Sequence, residues 1–258
     1  MRFPDKTVFV TGGGSGIGGA VSQAFAIEGA RVAIADLNFT HAKKVADEIT
    51  SKGGKAIAIS LDVSSAESVD AAFSRAEAWY GETTNVLVNS AGIIGINAFL
   101  DYTLAQFQQV MAVNVTGAFI CAQRAARSMV KANAGHIVNV ASVSAERAGV
   151  GRIAYGTSKA AMVGLTRQLA MELGPYGVTA NSIAPGPVLT PMTAASYTTE
   201  TIDAYTSMIP ARRLGTLDEM TNAILFLASD HARYINGIFM PVDGGYLAGG
   251  VNKTGKIS

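Results

Sequence analysis

Cysteine, tryptophan and charge are scarce in this chain. Its 258 residues include one cysteine and one tryptophan, and only 15 % of the side chains are charged. A lone Cys121 cannot form an internal disulfide, so a disulfide-stapled scaffold is excluded and a reducing, cytoplasmic setting is expected. The 20 basic and 19 acidic groups nearly cancel, and neither sign gathers into a run. That removes the electrostatic basis for binding nucleic acid or an anionic membrane and leaves a small-molecule partner as the expectation. The first residues lead straight into the first strand pattern, so no signal-like leader is expected. No apolar stretch approaches the ~18–20 residues of a membrane span, despite a mean hydropathy of +0.28. The apolar surplus, 49 % of residues, is therefore assigned to a core and to subunit interfaces.

Short β-branched runs alternate with longer segments of helical period. Strands are expected at Thr7–Thr11, Arg31–Asp36, Ala56–Val63, Val86–Asn89, His136–Ala141, Val178–Ala184 and Ile238–Val242. Most are apolar at consecutive positions, the mark of strands covered on both faces. The expected fold is therefore α/β, a single Rossmann-type doubly wound parallel sheet of about seven strands with helices on both faces. Helix starts are read at Ser64-Ser65-Ala66-Glu67, Thr103-Leu104-Ala105-Gln106 and Thr216-Leu217-Asp218-Glu219, each with a hydroxyl three residues before an acid or amide. No linker, repeat or low-complexity tract divides residues 1–258, so one domain is expected, with a substrate-loop insertion at about 187–214 and a tail at 247–258.

The run Thr11-Gly12-Gly13-Gly14-Ser15-Gly16-Ile17-Gly18 follows the first strand and opens a segment read as a helix from Ala20 to Glu28. Glycines also make ordinary turns, but between a strand and a helix their backbone N–H groups form an anion site suited to a pyrophosphate. Asp36 ends the second strand, where an acid can accept hydrogen bonds from an adenosine ribose; the alternative is a turn cap. No lysine or arginine stands beside it in Asp36-Leu37-Asn38-Phe39. A carboxylate there repels a 2′-phosphate, which favours NAD over NADP.

Tyr155 and Lys159 are four apart in a helical segment and share a face. An ammonium beside a phenol favours the phenolate and lowers a pKa that starts near ~10, toward the range useful for general acid/base work. Alone, such a pair could equally be a half-buried tyrosine with a surface lysine.

Taken in order, the glycine motif at 11–18, Asn89-Ser90-Ala91-Gly92, Asn114, Ser142, Tyr155 with Lys159, and Pro185-Gly186 resemble the short-chain dehydrogenase/reductase family from about residue 5 to 247. The resemblance implies that Tyr155 exchanges a proton with the substrate oxygen and that Ser142 holds that oxygen by a hydrogen bond. Lys159 would tune the tyrosine and bind the nicotinamide ribose, and Asn114 would anchor a water leading to the lysine. It implies cofactor contacts from Gly12, Ser15, Gly16, Ile17, Gly18, Asp36, Leu37, Asp62, Val63, Asn89, Ala91, Gly92, Pro185, Gly186, Val188 and Thr190, besides Tyr155 and Lys159. The substrate pocket it implies is built around Ile94, Ile96, Ser142, Ser144, Gly149-Val150, Tyr155, Pro187, Met192 and the segment from Thr190 to Met208. Ser90 departs from the usual second asparagine of that motif, with an effect expected on local hydrogen bonding only.

The expected activity is NAD-dependent hydride transfer to or from a small secondary alcohol, polyol or sugar. One alternative within the family is a carrier-linked 3-oxoacyl reductase using NADPH; another, of a different class, is a non-catalytic dinucleotide-binding regulator. The hydroxyl-rich Ser196-Tyr197-Thr198-Thr199 could bind a sugar, but a capped helix start is the simpler reading. No metal is expected, because His41, His136 and His231 lack ligand spacing. Cys121 reads as a small buried side chain, and the glycosylation patterns at Asn38, Asn114 and Asn252 conflict with a cytoplasmic setting. Ala160, Ala161 and Gly164 on the Tyr155 helix would let another helix approach, so a homo-oligomer is expected, a tetramer in preference to a dimer.

Overall fold

Alternation within each strand sends side chains to opposite faces. In β1 (Thr7–Thr11), Val8 and Val10 enter one apolar cluster and Phe9 the other. The same division holds in β2 (Arg31–Asp36), with Val32 and Ile34 on one side and Ala33 and Ala35 on the other. Both faces are thus covered, as the unbroken apolar runs require. The remaining strands are β3 (Lys55–Ser60), β4 (Val86–Asn89), β5 (Gly135–Val140), β6 (Val178–Pro185) and β7 (Phe239–Val242). All neighbours pair in parallel in the order β3-β2-β1-β4-β5-β6-β7. This is the doubly wound Rossmann-type arrangement, and its strand order reverses between β1 and β4.

The chain is described here from a computed structural model, covering residues 1–194 and 197–249. One layer of helices, α1 (Gly16–Ile27), α2 (Phe39–Ser51) and α9 (Leu217–Leu227), packs against the Val8 face. The other face is covered by α3 (Ala66–Tyr80), α5 (Gly117–Ala132) and part of α6 (Ile153–Leu173). There Phe73 of α3 stacks on Phe9 at 4.0 Å between ring centroids. Each such ring, fully buried, contributes ~1.5–3 kcal/mol relative to exposure. Three further helices, α4 (Leu104–Met111), α7 (Pro191–Ala194) and α8 (Thr199–Met208), stand around the carboxyl ends of the strands, the last two within the expected substrate loop.

Helix α4 begins with a reciprocal capping box between Thr103 and Gln106, and α9 with one between Thr216 and Glu219. The third expected box differs. Ser65, not Ser64, caps α3 by accepting from the Ser68 N–H, while Ser64 donates to Asp62. Helix α1 also starts earlier than its apolar pattern, at Gly16 rather than Ala20, so the glycine motif supplies its first turn. Strand β3 stops at Ser60, since the Asp62 N–H is taken by the Ser68 hydroxyl instead of a ladder partner. No helix among the described residues is long and apolar enough to cross a membrane. Ser196, the Asn252 glycosylation pattern and the tail from Gly250 onward lie outside the described residues.

Candidate active site

The strand ends and the loops after β1, β2, β4, β5 and β6 enclose a cavity of about 390 Å³. Its position is the switch point of the sheet, where open α/β folds bind ligands.

The β1 end of the cavity is shaped by close backbone approach. Gly12 has φ +63°, and a Cβ there would lie 2.8 Å from the backbone of Ala91. A Cβ on Gly18 would lie 2.1 Å from the Gly12 carbonyl oxygen. The Thr11 hydroxyl accepts from the N–H groups of Ser90 and Ala91, locking the loop after β4 onto the glycine turn. Ser15 is the N-cap of α1, yet its side chain makes no capping hydrogen bond. The first N–H groups of α1 are therefore uncapped where Ser15, Gly16 and Ile17 line the cavity. That cradle, whose shape depends on the absence of side chains at Gly12 and Gly18, fits the pyrophosphate of a dinucleotide.

Asp36 and Leu37 line the adjoining wall, followed by Asp62 and Val63. One oxygen of Asp36 accepts from the Gly14 N–H at 2.9 Å and the other from Asn38, also at 2.9 Å. The carboxylate is thus both a turn cap and a fixed acceptor, with lone pairs left for a ribose. Asp62 is held by the backbone and hydroxyl of Ser64.

At the β5 end, Ser142, Tyr155 and Lys159 line the same cavity. Lys159 is buried and donates from Nζ to the Val140 carbonyl at 2.7 Å; its Nζ stands 5.6 Å from the centre of the Tyr155 ring. Burial lowers the Lys159 pKa to about 8, because desolvation disfavours the ammonium. Burial likewise raises Tyr155, partly offset by a hydrogen bond with Ser142 and by the charge of Arg152. Desolvation of the phenol thus outweighs these two neighbours. The Ser142 hydroxyl accepts from the Ser144 N–H and is presented from the end of β5 on extended backbone.

Asn114 sits in a π-helical turn, Ala112–Thr116, between α4 and α5 and is fully buried. Its Oδ1 accepts from the Ile93 N–H, and its Nδ2 donates to the Ile93 carbonyl and to the Ser158 hydroxyl. It therefore ties the loop after β4 to the helix bearing Tyr155 and Lys159 without lining the cavity.

Most expected contacts converge on this cleft: Gly12, Ser15, Gly16, Ile17, Asp36, Leu37, Asp62, Val63, Ala91, Gly92, Ile94, Ser144, Pro185, Gly186, Pro187, Val188, Thr190 and Met192 all line it. Five residues stand elsewhere. Gly18 packs beneath the loop instead of facing the cavity. Asn89 is buried below it, donating to Asn139 and to the Ala118 carbonyl. Asn114 has the bridging position just described. Val150, expected in the substrate wall, is fully exposed, because the turn before α6 points it outward; Ile96 is likewise half exposed. Cys121 is buried among small residues and its thiol is pushed up to about 12. Burial also lowers the His136 pKa, against the neighbouring Asp230.

Tyr205, from the expected Thr190–Met208 segment, lines the substrate end together with three residues that sequence reasoning did not single out: Arg147, Arg152 and Tyr246. Tyr197, Tyr205 and Tyr246 form an aromatic row, with centroids 5.4 Å and then 6.2 Å apart. Arg147 lies over the Tyr246 ring and donates to its carbonyl. Nothing local in the sequence marks this group, since its members come from α8, the loop after β5 and the segment after β7. Thr198 caps α8 by accepting from the Thr201 N–H, which accounts for that hydroxyl as a helix start.

A family model described as Enoyl-(Acyl carrier protein) reductase matches residues 12–247. The D-threitol dehydrogenase of Mycolicibacterium smegmatis is 38 % identical over 246 residues, covering 95 % of this chain and 94 % of that protein. The 3-oxoacyl-(acyl-carrier-protein) reductase FabG of Aquifex aeolicus is also 38 % identical, over 248 residues, covering 95 % and 98 % respectively. A solved structure from Beutenbergia cavernae, assigned as an NAD(P)-dependent gluconate 5-dehydrogenase and holding NADP at low occupancy, is similar at a TM-score of 0.91. Its sequence identity is 37 %, covering 96 % of this chain and 100 % of that one.

Proposed function

The chain belongs to the short-chain dehydrogenase/reductase family, and on that premise we propose that it catalyses NAD(H)-dependent interconversion of a small secondary alcohol, polyol or sugar with its ketone or lactone. Oxidoreduction with a nicotinamide dinucleotide is the family's activity; NAD, the substrate class and the residue roles are our reading. Its main support is one cavity lined at one end by the Asp36 carboxylate and at the other by Ser142, Tyr155 and Lys159.

When bound, the dinucleotide supplies the acceptor or donor of a hydride, two electrons and a proton, at the substrate carbon. Tyr155 handles the other proton: as phenolate it takes the hydroxyl proton during oxidation, and as phenol it returns one during reduction. Ser142 donates a hydrogen bond to the same oxygen as negative charge develops there. Lys159, which lines the same cavity with Nζ 5.6 Å from the centre of the Tyr155 ring, would bind the nicotinamide ribose and, when protonated, favour the phenolate. Asn114 fixes the backbone of Ile93 and the start of α6 so that these groups keep their spacing. Asp36 reads the adenosine ribose and repels a 2′-phosphate.

The experiment is a panel of secondary alcohols, polyols and sugars assayed for NADH and NADPH formation, with Tyr155→Phe as the blank. A rate with NAD that the variant lacks is the expected result. Turnover undiminished in the variant, or a preference for NADP in the parent protein, would refute the respective assignment. The similarity to FabG and the NADP held by the Beutenbergia protein favour a second reading, an NADPH-dependent 3-oxoacyl reductase. Asp36 is the residue that weighs against it. We also propose self-association through α6, where Ala160 and Gly164 are exposed and the space beside Gly164 is open. A monomer by light scattering would contradict this.

A further inference from the structure

The substrate end of the cavity carries an imbalance of charge. The carboxylates that line the cavity, Asp36 and Asp62, both belong to the end of β2 and the turn after β3, the adenosine half of the cleft. Beyond β5 the lining charges are Arg147, Arg152 and Lys159, with no acid among them. Lys159 gives one N–H to the Val140 carbonyl, and Arg147 gives one to the Tyr246 carbonyl while lying over the Tyr246 ring. Arg152 differs from both. Among the described residues its guanidinium has no hydrogen bond and no ion pair, although it is only partly exposed and its stem packs beside Gly149. It is the N-cap of α6, three residues before Tyr155, and its charge acts on the hydroxyls of both Tyr155 and Tyr197.

An arginine that lines the cavity three residues before the reacting tyrosine, with no guanidinium donor bonded to another described residue, is set to receive an anion. Its planar fork matches a carboxylate in two parallel hydrogen bonds. Tyr197, kept protonated by burial and hydrogen-bonded with Tyr205, stands at the same wall.

We propose that the substrate is a hydroxycarboxylate, with its carboxylate held by Arg152 and its carbinol held at Tyr155. This rests on the oxidoreductase reading above and leaves its redox step unchanged: the carbinol loses a hydride to the oxidised dinucleotide and its hydroxyl proton to Tyr155, giving an oxocarboxylate. The likeness to a protein assigned as a gluconate dehydrogenase agrees with this chemistry. It also separates the two readings of function, because a carrier-linked 3-oxoacyl thioester has no free carboxylate to place there.

The test pairs charged and neutral molecules of the same skeleton: gluconate with glucitol, 3-hydroxybutyrate with butan-2-ol. Binding of each to the protein–NADH complex is measured by calorimetry, and turnover with NAD and NADP is followed in parallel. At least one carboxylate is expected to bind ~10- to 100-fold more tightly than its neutral partner, the range of a charge-assisted pair. Arg152→Gln should abolish that ratio in a protein that still binds NADH, and Arg152→Lys should restore part of it. Equal binding within every pair, absence of binding by all the carboxylates, or an unchanged ratio in Arg152→Gln would overturn the proposal. Failure of the parent reading looks different: NADH itself does not bind, or Tyr155→Phe matches the parent in turnover.

Discussion

Gly18→Ala and Gly19→Ala are neighbouring substitutions in the first turn of one helix, and the structure assigns them opposite outcomes. On helix propensity alone, both should stabilise α1 by up to ~1 kcal/mol. A Cβ on Gly19 meets nothing nearer than 3.6 Å, an ordinary contact. A Cβ on Gly18 falls 2.1 Å from the Gly12 carbonyl oxygen and 2.8 Å from its carbon, both rigid backbone. Relieving that overlap moves the glycine turn and α1 apart by roughly 1 Å, and overpacking of this kind costs ~1–3 kcal/mol. Net of the propensity gain, Gly18→Ala should lose up to ~2 kcal/mol, a fall of several °C at ~2–4 °C per kcal/mol. The larger effect should be on the anion cradle, whose N–H groups the same shift re-aims; ~100-fold is the scale of loss for a 1 Å misplacement. Thermal melts and NADH fluorescence titrations of the two variants measure both quantities. Gly19→Ala should melt at or above the parent temperature and bind NADH normally. If Gly18→Ala does the same, close backbone packing is not why glycine stands there, and the geometric reasoning fails.

Tyr155→Phe should retain NADH binding and lose ~10²–10⁴-fold in turnover, as read by steady-state rates beside a binding titration. Because burial raises the Tyr155 pKa, its base form fills only as pH rises; alcohol oxidation should therefore accelerate with pH and ketone reduction slow, and a flat pair of profiles would contradict the assignment. Lys159, at about 8 when folded against 10.5 as its ordinary value, leaves the unfolded chain binding more protons between those limits. Its contribution to stability is thus fully present above about 10.5 and lost as pH falls toward about 8, so Lys159→Met should flatten the stability curve across that window. Asn114→Ala strips the Ile93 N–H and carbonyl of their buried partner, at a cost of ~1–3 kcal/mol visible in denaturant unfolding. Asp36→Ala should raise the NADP to NAD ratio of kcat/KM; an unaltered ratio would remove the ribose argument.

The strands were the most legible part of the sequence, for a physical reason. β1, β2 and β4 are unbroken β-branched or small apolar runs ended by polar residues, and their bounds match the pattern. β3 was read too long because Leu61 and Val63 extend the apolar run after the Ser68 hydroxyl has taken the Asp62 N–H. The wall of the cleft from β1 to β4 could be foreseen because its lining residues sit at the ends of successive strands, at spacings the fold dictates. The substrate half was legible only in part: Ile94, Ser144, Pro187 and Met192 line it as expected, but Arg147, Arg152 and Tyr246 gave no sign. Tyr205, Tyr246 and Arg147 become neighbours only through the placing of α8, the loop after β5 and the segment following β7, and no local spacing encodes that meeting. Val150 illustrates the converse: its place next to pocket residues in the sequence says nothing about which way a turn aims it.

The π-helical turn at Ala112–Thr116 bears on how relatives of this chain are compared. Such a turn holds one residue more than a regular helix needs, and each residue of an α-helix advances the side chains by about 100°. A relative shorter by that one residue would run α4 and α5 together as a regular rod. It could keep an asparagine in the same alignment column and still swing it away from the Ile93 backbone. At this position, then, identity of the letter is a poor guide. The number of residues between the Thr103 cap and Gly117 decides whether an asparagine there can brace the site.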